Sequence, residues 1–217
     1  MCKNVVIAGT GFPEVIQLIS DINLSKAKNY INLLGFLDDN SNNSNKIIEN
    51  YKVLGGFDWL KNNKNIFVFN SIARTTSVRL SAKKRLDQFK AKYISLIHPN
   101  VNSTFSSVGK GVFIGKNVYL GVNTEIGDGC IIQENCSIGH DVNINENCFI
   151  APGCNILGKV NVSENCYIGS GSVIYPNTKI GHNVTLGMNV ALTNDAEPNH
   201  LYYVRPPYKM VSKNEVS

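Results

Sequence analysis

The segment Cys136-Ser-Ile-Gly-His-Asp-Val142 sets a histidine directly before an aspartate. An ordinary imidazole titrates near pH 6.5 (about), so it can take a proton from a reacting group at neutral pH. An adjacent carboxylate can fix its tautomer and stabilise its charged form. His140 and Asp141 are therefore candidates for general-base chemistry. The chain also holds six cysteines, at 2, 130, 136, 148, 154 and 166. Thiols close to a histidine are also metal-ligand chemistry. Spacing separates the two readings.

From Val108 to Leu192 an aliphatic residue recurs at every sixth position, fifteen times without a slip. Four residues after each comes a small residue, from Val112 through to Ala196. The residue just after the aliphatic is glycine in eight of the fifteen hexads, as at Gly109, Gly115 and Gly139. A six-residue period with one aliphatic and one small inward residue is a β-helix pattern. Each hexad forms a short strand and a turn, and three hexads close one triangular coil. Fifteen hexads give about five coils, roughly 24 Å tall at the usual inter-strand spacing. Cys130, Cys136, Cys148, Cys154 and Cys166 all fall on the small position. They read as small buried hydrophobes, neither metal ligands nor disulfide partners. Cys2 lies outside the repeat.

His140 and Asp141 sit on outward positions that the repeat does not require. His182 has the same place in its own hexad and serves as an internal control. It lies seven hexads further on, not a whole number of coils, so it belongs to a different face. Asn183 follows it in place of an acid, and it reads as surface. His98 and His200 lie at the two ends of the repeat and read as structural.

Residues 1 to about 97 follow another pattern. "NVVIAG" (4–9), "INLLGFLDD" (31–39), "NIFVFN" (65–70) and "YISLIHP" (93–99) read as strands. A short helix from Pro13 and a longer one over 73–90 alternate with them, and 39–46 is polar loop. This alternation predicts a small, parallel, Rossmann-like α/β sheet. Gly9, Thr10, Gly11 and Phe12 form a turn between strand and helix, where anions meet backbone N–H groups. The third glycine of a dinucleotide fingerprint is Glu14 here, which argues against NAD. Asp38 and Asp39 close the second strand. Asn70 and Ser71 close the third, and so line the same crevice. The basic residues Arg74, Arg79, Lys83, Lys84 and Arg85 on the longer helix are expected to form a solvated face, with Arg74 best placed to meet an anion.

The chain has 217 residues, 43% apolar and 17% charged, with a net charge of +5. Mild basicity suits small anionic molecules and falls short of a nucleic-acid signature. The N-terminal apolar run is too short for a signal peptide or a membrane span. A cytoplasmic chain with reduced thiols, without nucleic-acid or membrane partners, is expected.

The hexads "IGKNV", "IGDGC", "IGHDV", "IGSGS" and "IGHNV" resemble those of the hexapeptide-repeat acyltransferases. "VVIAGTGFPEVI", "LLGFLDDN" and "YISLIHPN", followed by "SIGHDVNINENCFIAPGCNILGKV", narrow the resemblance to bacterial N-acetyltransferases of nucleotide-linked amino sugars, from bacillosamine and perosamine pathways, and to sialic acid O-acetyltransferases. The resemblance implies a left-handed β-helix over 98–217 behind a nucleotide-sugar-binding domain over 1–97. It implies acetyl-CoA as donor, a nucleotide sugar (a UDP-4-amino-4,6-dideoxy sugar) as acceptor, a homotrimer and no metal. It makes His140 the general base, supported by Asp141 or by a carboxylate of a neighbouring subunit, and Gly158 the oxyanion donor. Gly158 lies one coil beyond His140, so stacking sets the two on one face. Direct attack needs no covalent intermediate, and an oxyanion donor is worth about 3–4 kcal/mol when deleted elsewhere.

By the same resemblance, Gly9, Thr10, Gly11, Phe12, Asp38, Asp39, Asn70, Ser71 and Arg74 are expected to contact the nucleotide sugar. Acetyl-CoA is expected at Phe149, Gly158, the turn at position 170 (Ser170, between Gly169 and Gly171), Pro176 and Lys209. Two departures stand out: the first turn is one residue shorter than in relatives, and "LYYVRPPYKM" carries Arg205 and Pro207-Tyr208 where relatives have Gly and Ala. Three other readings compete. They are sugar O-acetylation, a zinc hydrolyase that would need three converging histidines, and a β-helix that only binds.

Overall fold

The computed structural model describes residues 2–25, 30–72 and 75–204. The N-terminal unit runs β1 (Cys2–Ala8), α1 (Glu14–Leu24), β2 (Tyr30–Leu37), β3 (Ile47–Ile48), β4 (Tyr51–Gly55), β5 (Phe67–Asn70), α2 (Thr76–Gln88) and β6 (Lys92–Tyr93). These strands form one sheet in the order β3-β4-β2-β1-β5-β6. Every pairing is parallel except β3–β4. The sheet is therefore mixed, not parallel as expected, because the polar loop after 39 leads into a short hairpin. Helix α2 starts later than the periodicity suggests, at a Thr75 cap whose hydroxyl accepts the Val78 N–H at 3.2 Å.

The stretch "YISLIHP" divides. Tyr93 ends β6 in the N-terminal sheet, whereas β7 (Leu96–Ile97) pairs with Phe113–Ile114 and opens the repeat. From there the chain winds as a left-handed parallel β-helix with three walls. The first wall stacks seven strands and each of the others five. Register is a single coil throughout: Ile132 lies over Ile114, Ile150 over Ile132 and Ile168 over Ile150. These aliphatics fill the inside of the prism together with the small residues, all nearly free of solvent.

The small position does more than avoid a clash. Each inward cysteine donates its thiol to a turn carbonyl one coil on, as Cys136 Sγ does to Ala151 O at 3.2 Å and Cys148 Sγ to Ser163 O at 3.1 Å. Thr124 and Ser172 make the same bond with their hydroxyls. The cysteines are thus interior donors. Burial pushes the Cys148 thiol well up, and the stacked Cys154 and then burial do the same for Cys136.

The first wall carries the N-terminal unit. Its outward residues Phe113, Ile131 and Phe149 join one apolar cluster with Phe12, Phe69 and Phe36. The Phe12 and Phe113 rings meet edge to face at 5.1 Å. The two units share a continuous core, in which Phe113, Ile131 and Phe149 are buried.

Candidate functional site

Each hexad turns through a residue in the left-handed region, from Gly111 to Asn189. Left-handed backbone favours glycine and asparagine. Only Asp141 (φ 56°) and Lys159 (φ 61°) break that rule in this series. They lie one coil apart on the edge between the second and third walls, opposite the wall that carries the N-terminal unit. His140 and Gly158 precede them on the same edge. Every other turn of the series is Gly or Asn, so these two neighbouring positions stand out from the repeat.

The His140 Nδ1 and the Asp141 Oδ2 are 2.7 Å apart. A carboxylate only accepts, so Nδ1 carries the proton and Nε2 is left with a lone pair. Asn123, one coil earlier, donates to the other carboxylate oxygen at 3.1 Å. The His140 bond first, then that of Asn123, hold the Asp141 carboxyl below its ordinary range. Both side chains are exposed, at 57% and 42%. Exposed ion pairs add little to stability, so the fold does not explain this one.

Nε2 faces the next coil. A Cβ built on Gly158 would fall 2.6 Å from it. A side chain there would displace the imidazole, so glycine lets the ring lie against the backbone. Among the described residues the Gly158 N–H has no acceptor. The edge therefore offers a free proton acceptor beside a free amide donor, with no side chain between. Lys159 ties the two coils through its N–H to His140 O at 2.9 Å, and its charge also lowers the Asp141 carboxyl. The sequence reading missed Lys159. Its signal was a lysine in a column otherwise held by Asn and Gly.

Pro176 stands one coil beyond Gly158 on this edge and is exposed. Two other expected donor contacts do not join it. Phe149 is only 6% exposed, stacked on Tyr167 at 5.2 Å beneath the N-terminal unit. Its outward direction belongs to the docked wall, which corrects the expectation that it meets acetyl-CoA. Ser170 lies on the edge between the first and second walls. Arg74 and Lys209 lie outside the described residues.

In the N-terminal unit, Gly9, Thr10, Asp38 and Asp39 come together at the carboxyl ends of β1 and β2. Thr10 Oγ1 donates to Asp38 Oδ2 at 2.7 Å, and Asn43 donates to the same oxygen at 2.8 Å. Asp39 accepts the Phe57 N–H and pairs with Arg85, both at 2.9 Å. Gly11 is open, with nothing near a built Cβ. The remaining residues point inward. Phe12 is in the shared core, Ser71 is fully buried with its hydroxyl on Ala8 O and Gly9 O, and the Asn70 amide donates to Arg79 O. A crevice ligand can reach Phe12 or Ser71 only at the backbone. Asn43 and Arg85, which sequence did not single out, complete this crevice. The basic face of α2 is also not wholly solvated, since Arg79 is 2% exposed.

His182 lies on the edge between the third and first walls, one coil before Pro198, and away from His140. The described residues include no cluster of three His, Cys, Asp or Glu side chains. No described helix is long and apolar enough to cross a membrane.

Residues 105–140, 123–158 and 159–194 match the model of the bacterial transferase hexapeptide (six repeats). No curated protein matches the chain. The fold is similar to that of a histidine-to-asparagine mutant of perosamine N-acetyltransferase from Caulobacter crescentus, solved with CoA and GDP-perosamine (TM-score 0.82, 20% identity, 93% of each chain). It is also similar to the acetyltransferase domain of PglB from Neisseria gonorrhoeae (0.80, 19%, 94% of this chain and 98% of that one). WeeI from Acinetobacter baumannii gives 0.78 at 22%, over 93% and 96%.

Proposed function

We propose that this chain of bacterial transferase hexapeptide repeats is an acetyltransferase. It moves an acetyl group from acetyl-CoA to the amino group of a nucleotide-linked amino sugar, of the UDP-4-amino-4,6-dideoxy type. One observation carries the reading: His140 Nε2, the ring nitrogen not bonded to Asp141, lies directly against the backbone of Gly158, whose N–H has no acceptor among the described residues. Two of the similar structures support it, one solved with CoA and GDP-perosamine and the PglB domain with acetyl coenzyme A.

In the proposed reaction the neutral amine attacks the thioester carbonyl while Nε2 takes its proton. Asp141 stabilises the imidazolium that forms. The Gly158 N–H holds the oxyanion. Collapse expels the CoA thiolate, which recovers the proton from His140. No bond to the enzyme forms. In this reading Lys159 adds positive charge beside the oxyanion, Pro176 borders the donor's path, and Gly9, Thr10, Gly11, Asp38 and Asp39 meet the nucleotide.

The His140 edge faces away from its own chain's nucleotide crevice. Tyr119, Val122, Leu157 and Tyr175 around it are exposed and apolar. We therefore assign the missing half of the site to a second copy in a homotrimer, in a cytoplasmic enzyme. Residues 1–97 hold the nucleotide sugar and 98–217 transfer the acetyl group. The test is a panel of UDP-, dTDP- and GDP-linked amino sugars with acetyl-CoA, read by thiol release and product mass. A product heavier by one acetyl on nitrogen is expected. Acetylation of a hydroxyl sugar alone would move the assignment to O-acetylation, and no release with any acceptor would contradict it.

A further inference from the structure

Arg79 is the largest fully buried side chain among the described residues. Its Nε donates to Asn147 Oδ1 at 2.8 Å and one terminal nitrogen donates to Cys148 O at 3.1 Å. Both acceptors are uncharged. The other terminal nitrogen, Nη1, is buried without a hydrogen-bond partner among the described residues. Burial pulls the guanidinium down to about 10, which still leaves it charged at neutral pH. A buried cation without a counter-charge is destabilising.

The guanidinium borders a cavity of about 50 Å³ between α2 and the edge joining the third and first walls. Lys83, Tyr93, Lys110, Asp128 and Asn147 also line it. The lining is cationic in balance. Asp128, the single acid there, accepts the Lys110 backbone N–H at 2.7 Å and makes no ion pair with Arg79 among the described residues. Lys83 and Tyr93 both engage Asp87 on the outer side of α2. The volume suits a few water-sized particles. It has room for a monoatomic anion and is too small for a nucleotide or the phosphates of CoA.

We propose that this cavity binds one small monovalent anion of the halide class, chloride in solution, as the counter-ion of Arg79. The anion accepts from the Nη1 donors and fastens α2 to the β-helix. It lies on a different edge from His140, so its occupancy sets stability and leaves the acetyl-transfer site untouched.

Two measurements test this on the full-length protein. In crystals grown with bromide, an anomalous peak is expected within hydrogen-bonding reach of Nη1. At equal ionic strength, the unfolding temperature in sodium chloride is expected to exceed that in sodium gluconate by roughly 3 °C. The Lys110→Ala variant, which keeps the buried contacts, should narrow that gap. Arg79→Met should abolish it if the variant folds. Water alone in the cavity, or equal unfolding temperatures in the two salts, would overturn the proposal. A bromide peak without the temperature difference would mark an adventitious ion only and would also overturn it.

Discussion

His140 and His182 occupy the same place in two copies of one hexad, "IGHDV" and "IGHNV", yet their surroundings differ in two ways. Asp141 follows the first and bonds its Nδ1. Asn183 follows the second and bonds Asn199 in an amide ladder. Below the first ring lies bare backbone at Gly158, whereas the position one coil beyond the second is Pro198, which has a ring and no N–H to offer. The repeat supplies position and direction to both histidines. The chemistry comes from what the neighbouring coil leaves out.

The comparison can be broken in order of effect. His140→Ala should lower kcat by about 10²–10⁴, while His182→Ala stays within about twofold; equal losses would erase the distinction. Phe149→Ala, on the docked wall, should cost about 3–5 kcal/mol of stability and leave the KM for acetyl-CoA unchanged. A raised KM with intact stability would return Phe149 to the donor site.

The glycines of the two edges make a finer contrast. Gly158→Ala pushes against the movable His140 ring, so kcat should fall by about tenfold to a hundredfold with the unfolding temperature nearly unchanged. In Gly181→Ala the Cβ meets the Pro198 backbone nitrogen at 2.6 Å. That variant should lose about 1–3 kcal/mol of stability and keep its kcat once folded. The smallest effect is expected from Asp141→Asn. Asparagine suits the left-handed turn, so the backbone is undisturbed and the carboxylate alone is removed. A roughly tenfold loss of kcat is expected, without loss of stability at neutral pH. The Asp141 carboxyl is held below its ordinary range, so whatever it stabilises is present above about pH 4 and fades only as pH falls through the lowered value. An unchanged kcat would pass the supporting role to a partner subunit's acid.

The β-helix was legible in the sequence because every coil repeats one solution, and fifteen aliphatics in step admit one period. The inward cysteines were legible as small residues but not as thiol donors, since bond direction depends on the coil above. The docked wall was in fact written in the chain: the residue before every third aliphatic is Phe113, Ile131, Phe149 and Tyr167, an apolar column where the third wall carries Glu125, Asn143 and Asn161. Reading that column would have removed Phe149 from the donor site. The N-terminal crevice was less legible. Asp38 and Asp39 fall on a recognisable strand end, but the hairpin that brings Asn43 and Phe57 to them follows a loop of Asn and Ser with no periodicity. Arg79 looked like its neighbours on a basic helix, because burial of one basic residue among five depends on the tertiary contact with Asn147.

The central claim is that His140 Nε2 and the Gly158 N–H flank one reacting carbonyl. A structure of the enzyme with CoA and an amino-sugar nucleotide bound tests it most directly. The account predicts the sugar amine within about 3.2 Å of Nε2, and the CoA sulfur positioned so that its thioester oxygen would lie about 3 Å from the Gly158 nitrogen. A sugar amine bound at any other edge, with His140 in solvent, would contradict it.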